Sequence, residues 1–279
     1  MYSRSDSSLE ATVLNRLPHQ TKSHEYRSLD QFKSMLAAEG EHQHHDIDGA
    51  VQFLVFTSID HPTFLRDFQE PIRDTCAHSI DAYLPQTKTL VIKMKRGPHE
   101  AAHSAINMAI MGKLHDMRLA ERGLIGFDQT TAMTSSRWKE ADVAYVPRRC
   151  PPGRSKDWPT FALESGYTDS QGMLDGNARW WLHASNGDTK IAMTIDLDRK
   201  WRRIKMRVYE LSDNGNVDEQ DVTISKPPNA QNTQVGSGSP LVISFRKLFL
   251  REPSNNEMDI ELTDQDLIWI AEDTWDMQY

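Results

Sequence analysis

The strongest constraint on the fold is the segment between residues 124 and 197, in which strand-length runs follow one another. Four runs have strand length and are separated by turn residues: LIGF, TTAMTS, ADVAYV and TFALES. Residues 170–185 then carry apolar side chains at helical spacing, and KIAMTIDL has the pattern of another strand. Because strands alternate with helices and no repeat period is present, we predict a mixed α/β fold, a central sheet flanked by helices.

A long helical pattern precedes this segment. Pro98 stands near its first turn, where proline is well tolerated, and Glu100 suits the positive end of the helix dipole. Its apolar stripe contains Ile106, Ile110, Leu114 and Met117. We therefore predict a helix over residues 98–117.

The remaining segments extend the pattern on both sides. Two early runs have strand composition: VQFLVF and TKTLVIKM. Residues 61–84 carry apolar residues at a spacing suited to one or two short helices. WRRIKMRVYEL alternates apolar with basic residues, which predicts a strand with one basic face. Residues 226–239 have the composition of an exposed loop, and Thr263 starts a final helix.

Residues 1–48 are polar and contain only a short amphipathic stretch around Leu29 to Leu36, so we predict a loosely ordered, flexible N-terminal arm. Globular patterning begins close to Val51. We therefore predict one domain over residues 49–279, with a β-rich C-terminal extension.

Charge and cysteine content narrow the function classes. The formal net charge of −8 argues against attraction to nucleic acid over the whole surface, so a polyanion site requires a local basic patch. Two cysteines are too few for a disulfide framework, which indicates a reducing, intracellular compartment, either cytoplasm or nucleus. No apolar leader or membrane-length apolar stretch is apparent, so we expect neither secretion nor membrane insertion.

Two acidic residues stand out in the strand-rich centre. Asp142 stands at the start of one predicted strand, and Glu164 lies inside the next. Mg²⁺ or Mn²⁺ favours a few carboxylate oxygens together with water and substrate phosphate, so two acids on adjacent strands could hold one such cation. The structural alternative for Asp142 is that it caps a turn. Glu164 lies in an apolar strand, where a carboxylate needs a cation or hydrogen-bond donors.

The order helix, hairpin, Asp strand, Glu strand, helix, strand resembles the core of the PD-(D/E)XK superfamily, the restriction-endonuclease-like fold. Four segments carry a closer resemblance to a little-characterised group of fungal members: KEADVAYVPRR, PPGRSKDWPTFALESGYTDS, LDGNARWWLHASNG and KIAMTIDL. The resemblance covers roughly residues 98–210. It implies metal-dependent hydrolysis of phosphodiester bonds in nucleic acid, and by analogy a homodimer.

Carried over by position, the resemblance implies that Asp142 and Glu164 bind the metal and that Glu100 is an outer-shell acid. The superfamily's lysine, two residues after the second acid, is replaced here by Gly166. Arg179 on the following helix is the substitute we expect to project back toward the acids, and Lys190 is a second candidate. Arginine stabilises phosphoryl charge but is a poor general base, so it cannot replace every role of the lysine.

Basic residues lie between the two acids in the sequence, and we predict that they contact substrate: Arg148, Arg149, Arg154 and Lys156. A second positive cluster spans residues 199–207. A solvated surface without a ligand is the alternative for both.

Two pairs of conspicuous residues have simple structural explanations. His99 and His103 share a helix face, yet no metalloprotease motif accompanies them, so we expect surface or hydrogen-bonded histidines. Trp180 and Trp181 are expected to pack beneath the sheet.

Two other function classes stay open: a PD-(D/E)XK fold that has lost catalysis and acts as a binding protein, and a scaffold reused for a small-molecule reaction.

Overall fold

The computed structural model describes residues 12–45, 52–68, 78–94, 97–119, 123–126, 131–212 and 214–278. The chain divides into two compact units, of which the first comprises residues 1–96 and 131–140 and the second residues 97–130 and 141–279. This division differs from the predicted single domain over residues 49–279, because the N-terminal region and residues 131–140 belong together in the first unit.

The described strands are β1 Lys22–Glu25, β2 Phe53–Thr57, β3 His78–Leu84, β4 Thr89–Met94, β5 Leu124–Gly126, β6 Thr131–Met133, β7 Trp138–Glu140, β8 Val143–Pro147, β9 Phe161–Tyr167, β10 Ile191–Leu197, β11 Arg203–Leu211, β12 Val217–Ser225, β13 Gln234–Val235, β14 Leu241–Ile243 and β15 Ile260–Leu262. The described helices are α1 Leu29–His45, α2 His61–Phe68, α3 Gly97–Asp116, α4 Gln171–Ala184, α5 Phe245–Phe249 and α6 Asp264–Asp276. Parallel and antiparallel pairs occur in both larger sheets, so the predicted mixed α/β class is confirmed.

The first unit is built on a sheet in the order β1, β2, β4, β3, β7, β6. β1 pairs in parallel with β2, and α1 buries Phe32 and Leu36 in the core of this unit. The ring centroids of Phe32 and Phe56 lie 4.8 Å apart. Residues 22–45 therefore do not form the loosely ordered arm that the sequence predicts, whereas residues 1–11 and 46–51 lie outside the described residues.

Part of the segment predicted as short helices is a strand. α2 agrees with the prediction, but His78–Leu84 is β3, which pairs with β4 and β7. Its register shifts between Ile80 and Ala82. A bulge of this kind interrupts the alternation of a strand, so the buried residues Ile80, Tyr83 and Leu84 stand at a spacing that imitates a helix.

The second unit is built on a sheet in the order β13, β12, β11, β10, β9, β8, β5. β9 lies at its centre, antiparallel to β8 and parallel to β10, with Leu163 opposite both Val143 and Met193. α4 is the crossover between the two parallel strands, and it contacts both of them. Five elements of the implied order occur as α3, β8, β9, α4 and β10. The implied hairpin before the Asp strand does not form among the described residues, because β5 pairs with β8 whereas β6 pairs with β7 in the other sheet.

Helices α3 and α6 share one hydrophobic core with the apolar residues of β9, β10 and β11. The N-terminus of α6 carries a capping box, in which the Thr263 side chain accepts from the backbone N–H of Asp266 and the Asp266 side chain accepts from that of Thr263. The predicted start of the last helix is confirmed. The predicted helix over residues 98–117 corresponds to α3 within one residue at each end.

Candidate functional site

Strand β9 carries the residues around which the predicted site is built. It is buried along its whole length, and successive side chains point to opposite faces of the sheet. Tyr167 lies against His99 of α3, with ring centroids 4.6 Å apart, which places Leu163, Ser165 and Tyr167 on the α3 face. Glu164 is therefore on the other face, which α4 covers.

Asp142 belongs to a buried polar cluster on the α3 face. Its Oδ2 accepts hydrogen bonds from the backbone N–H of Ser165 at 2.8 Å and from the Ser165 hydroxyl at 3.2 Å. His103 Nε2 lies 3.4 Å from the same oxygen and 2.5 Å from Ser165 Oγ. The Asp142 side chain is 2% exposed, so this cluster joins α3, β8 and β9 in the interior.

Glu164 is engaged on the α4 face. Its Oε1 accepts a hydrogen bond from Trp181 Nε1 at 2.7 Å, and both side chains are buried. Trp181 also lies edge-on to Trp180 and Trp158, with ring centroids 5.0 Å and 5.9 Å away. The predicted packing role of the two helix tryptophans is confirmed, and one of them additionally supplies the donor that a buried carboxylate requires.

The hydrogen-bonded oxygens of Asp142 and Glu164 point in different directions, and a cation held jointly by the two acids stays a prediction. The oxygen of Asp142 that is hydrogen-bonded faces Ser165 and His103, whereas that of Glu164 faces Trp181 on the opposite side of β9. In the part of the chain that the structure describes, no group of three or more His, Cys, Asp or Glu side chains is arranged to hold a metal ion.

The other predicted site residues lie away from Glu164. Arg179 is exposed on α4, two residues from Trp181, and residues two apart on a helix point in nearly opposite directions. It therefore does not project back toward the acids as expected. Glu100 is exposed in the first turn of α3, as an ordinary dipole-stabilising acid would be. Lys190 precedes β10 at the Phe161 end of the sheet, about 13 Å along the strand from Glu164.

The predicted substrate-binding loop joins the end of β8 to the start of β9. Arg154 is a structural residue there, because its guanidinium donates to the carbonyls of Trp158 and Asp188, both at 2.9 Å, and pairs with the Asp188 carboxylate at 3.3 Å. Its side chain is 7% exposed, and its predicted role in binding substrate is not supported. The three other cations of this loop are exposed: Arg148, Arg149 and Lys156.

A second polar cluster, not predicted from the sequence, shares the α4 face with Glu164. Thr194 of β10 is in register with Glu164, and Asp196 is in register with Gly166. Thr194 Oγ1 and Asp196 Oδ1 are buried and have no hydrogen-bond partner among the described residues. Burial raises the pKa of the Asp196 carboxyl, and this effect exceeds the opposing influence of Thr168 and Arg207.

Arg207 and Tyr209 of β11 extend this polar face. Both contact Asp175 of α4, with Tyr209 donating its hydroxyl to Asp175 Oδ1 at 2.9 Å and Arg207 Nη1 lying 3.5 Å from it. Burial, together with the Asp175 charge, raises the pKa of the Tyr209 hydroxyl. The sequence contains a signal for these polar residues. TID in β10 and RVY in β11 place polar side chains at alternate positions of otherwise apolar strands.

The first unit holds a separate buried charge cluster. Asp81 of β3 is paired with Lys139 Nζ at 2.9 Å and with Arg137 Nη2 at 3.4 Å, and all three side chains are buried. Burial opposes ionisation of Asp81, but the charges of Lys139 and Arg137 outweigh it and hold the pKa of Asp81 below its ordinary value. This cluster joins β3 to β7 and supports the bulged strand from inside.

The chain matches no protein-family model and no curated protein. Among solved structures, it is similar to a candidate nuclease belonging to DUF820 from Anabaena variabilis ATCC 29413, with a TM-score of 0.40 and 16% sequence identity. The similarity covers 74% of this chain and 98% of that chain. Likeness at this level establishes no function.

Of the helices in the described part of the chain, none combines the length and the apolar character that a membrane span requires.

Proposed function

We propose that this protein is a PD-(D/E)XK-like protein that binds nucleic acid without cleaving it. The observation that carries the proposal is that the hydrogen-bonded oxygens of Asp142 and Glu164 lie on opposite faces of β9. The superfamily's hydrolytic chemistry depends on a cation that polarises the phosphoryl group and activates water, and the hydrogen-bonded oxygens of the two acids do not point to a common position.

The order of elements in the second unit supports a relationship to that superfamily. The strand that follows Asp142 lies antiparallel to the strand that contains Glu164, and a helix then leads to a parallel strand. This agrees with the arrangement that the motifs around both acids resemble. Relationship by fold does not carry the chemistry with it, because the chemistry resides in the site.

The surroundings of the acids support the loss of hydrolysis. Asp142 Oδ2 already accepts from the Ser165 N–H and hydroxyl, so a cation at this oxygen would compete with two hydrogen bonds. Gly166 supplies no charge where the superfamily has lysine, and Arg179 is exposed on the far side of α4. The acids are thus used as hydrogen-bond acceptors that join secondary-structure elements.

Exposed cations support nucleic-acid binding. They stand at both ends of the seven-stranded sheet of the second unit: Arg148, Arg149 and Lys156 before β9, and Lys200 and Arg202 after β10. Because the whole chain has a formal net charge of −8, binding must be local and must weaken as salt displaces it.

The test is a paired measurement of binding and cleavage. Labelled single- and double-stranded DNA and RNA are incubated with the protein in Mg²⁺, Mn²⁺ or EDTA, and retention is followed over a salt series. The proposal predicts salt-sensitive retention and no difference in strand scission between metal and EDTA. Metal-dependent scission that is abolished in Asp142→Ala and Glu164→Ala would instead support the metal-dependent nuclease, and the absence of retention would exclude nucleic acid as the ligand.

A further inference from the structure

We infer that the turn between β10 and β11, residues 198–203, is a contact site for single-stranded nucleic acid. In this contact Trp201 stacks on an unpaired base, and Lys200 and Arg202 lie against phosphates. The inference rests on the proposed function and narrows it to one segment and one class of partner.

Trp201 is exposed in a setting that suits a nucleotide. It is 57% exposed, whereas Trp158, Trp181 and Trp275 are buried. Trp269 on α6 is also exposed, so exposure alone is not distinctive. What sets Trp201 apart is its neighbourhood, since residues 198–203 hold four cationic side chains and one carboxylate in a chain whose formal net charge is −8.

The turn is held in one conformation by Asp198. Its Oδ1 accepts from the backbone N–H groups of Lys200 at 2.9 Å and Trp201 at 3.1 Å, and its Oδ2 pairs with Arg203 at 2.7 Å. Gln278 Nε2 donates to the Asp198 carbonyl at 2.7 Å. A ligand that stacks on Trp201 therefore meets a backbone that is already ordered, which lowers the entropy lost on binding.

Four cationic side chains lie at the turn. Arg199 lies over the ring of Tyr167, 3.9 Å from its centroid, and Arg203 is paired with Asp198. Lys200 and Arg202 are exposed and flank Trp201 directly in the sequence. An aromatic ring between two exposed cations matches a strand in which each base is attached to a charged phosphate.

Stacking on Trp201 requires a base whose face is accessible. In a duplex the base faces are covered by neighbouring base pairs, whereas in a single strand they can be stacked on an aromatic side chain. Single-stranded DNA and RNA share this chemistry. The turn should therefore favour single strands of either kind over a duplex of the same length.

The experiment compares affinities for labelled oligonucleotides of about 12 nucleotides, a length within the site sizes common for single-strand binding. Oligo(dT), oligo(rU) and a duplex are titrated with the full chain and followed by fluorescence anisotropy. We expect Trp201→Ala to weaken binding of both single strands by about tenfold and Trp201→Phe by less than about threefold. Trp269→Ala is the matched control, because Trp269 is equally exposed, and it should leave affinity unchanged.

A charge variant provides an independent readout. Lys200→Gln should reduce the slope of log affinity against log salt by about 0.7, the contribution of one phosphate on a single strand. Circular dichroism establishes that each variant is folded. Comparing oligo(dT) with oligo(rU) identifies which single-stranded polymer is preferred.

The outcomes separate the inference from the proposed function. If the wild type binds and Trp201→Ala binds equally well, or if the duplex binds as tightly as the single strands, the single-strand contact is wrong while nucleic-acid binding stands. If the wild type binds none of the three oligonucleotides, the proposed function fails, and the inference fails with it.

Discussion

Asp142 directly precedes β8, and Glu164 lies within the neighbouring strand β9. The Asp142 carboxylate accepts hydrogen bonds from Ser165, whereas the Glu164 carboxylate accepts one from Trp181. Ser165 is the direct neighbour of Glu164 on β9, so these two acceptors serve opposite faces of one strand. Each acid of the pair thus makes its own connection, Asp142 to Ser165 and His103 of α3, and Glu164 to Trp181 of α4.

The Asp142 cluster predicts a stability effect. Asp142→Ala should lower the free energy of unfolding by about 2–3 kcal/mol, because the buried donors of Ser165 lose their acceptor. Asp142→Asn retains a carbonyl oxygen and should lose less. Urea unfolding followed by circular dichroism measures both. A wild type that Mg²⁺ stabilises, with Asp142→Ala unaffected by the ion, would support a metal site in place of this cluster.

The pair of Glu164 and Trp181 predicts a measurable coupling. Trp181→Phe removes the indole donor, and Glu164→Ala removes the oxygen that accepts from it. The double variant should be more stable than the sum of the single effects predicts, by about 1–2 kcal/mol, since the second change no longer breaks the bond. Chemical denaturation of the four proteins in the cycle gives this value. Strict additivity would mean that the hydrogen bond contributes nothing.

Asp81 predicts a dependence of stability on pH. Its pKa is lower in the folded than in the unfolded chain, so its contribution is fully present above the ordinary carboxyl pKa of about 4 and is lost as the pH falls through the folded value. Asp81→Asn should be less stable than the wild type at pH 7 by about 3 kcal/mol, because Lys139 is left buried beside a neutral group. Urea unfolding as a function of pH should show this difference shrinking in acid. A difference independent of pH would contradict the ion pair.

For Asp196 we predict a pH dependence of stability opposite to that for Asp81. Burial raises its pKa, so the folded chain favours the neutral acid, and ionisation lowers stability at neutral pH. Asp196→Asn should therefore raise the free energy of unfolding by about 1 kcal/mol at pH 7, and the gain should vanish below about pH 4, where the wild-type carboxyl is protonated in both states. Thermal denaturation at several pH values checks this. A loss of stability at pH 7 would mean that the charged form has a partner.

Arg154 and Arg149 lie in the same loop, one buried and one exposed, so their alanine variants can be compared directly. Arg154→Ala should lower the free energy of unfolding by about 2 kcal/mol, because the carbonyls of Trp158 and Asp188 lose their donor. Arg149→Ala should change stability by less than about 0.5 kcal/mol, since Arg149 is exposed. If the proposed function holds, only Arg149→Ala reduces the salt dependence of nucleic-acid binding. Equal stability losses in the two variants would show that the loop is organised differently.

Local sequence patterns predicted most of the second unit. The helix over residues 98–117, the strands around Val143 and Glu164, and the helix bearing Trp181 all occur close to the predicted positions. They are recognisable because each element carries enough periodic apolar residues to define a buried face by itself. β3 differs from the predicted helix because its bulge produces helical spacing. α1 begins where the sequence indicates a short amphipathic stretch around Leu29 to Leu36, but it is longer, and it is stabilised by the two residues it buries, Phe32 and Leu36.

The sequence determined the residue types of the site but not their partners. It indicated that Glu164, in an apolar strand, needs a donor, and that Trp181 is buried. It did not indicate that the Trp181 indole donates its hydrogen bond to Glu164. That choice depends on which face of β9 each helix covers, and a shift of one residue along a strand exchanges the faces. For the same reason the sequence predicts substrate contact for Arg154, whereas loop closure directs its guanidinium onto three backbone carbonyls.

The α/β class, the long helix α3 and the strand–helix–strand order around Glu164 could be predicted from the sequence alone, together with a net negative charge and local basic segments. The structure was needed to show that the hydrogen-bonded oxygens of two acids 22 positions apart lie on opposite faces of β9, and that the basic loop between them joins the Pro147 end of β8 to the Phe161 end of β9. The reason is that periodicity is a property of one segment, whereas the meeting of two side chains depends on strand pairing and helix placement, which involve residues distant in the chain.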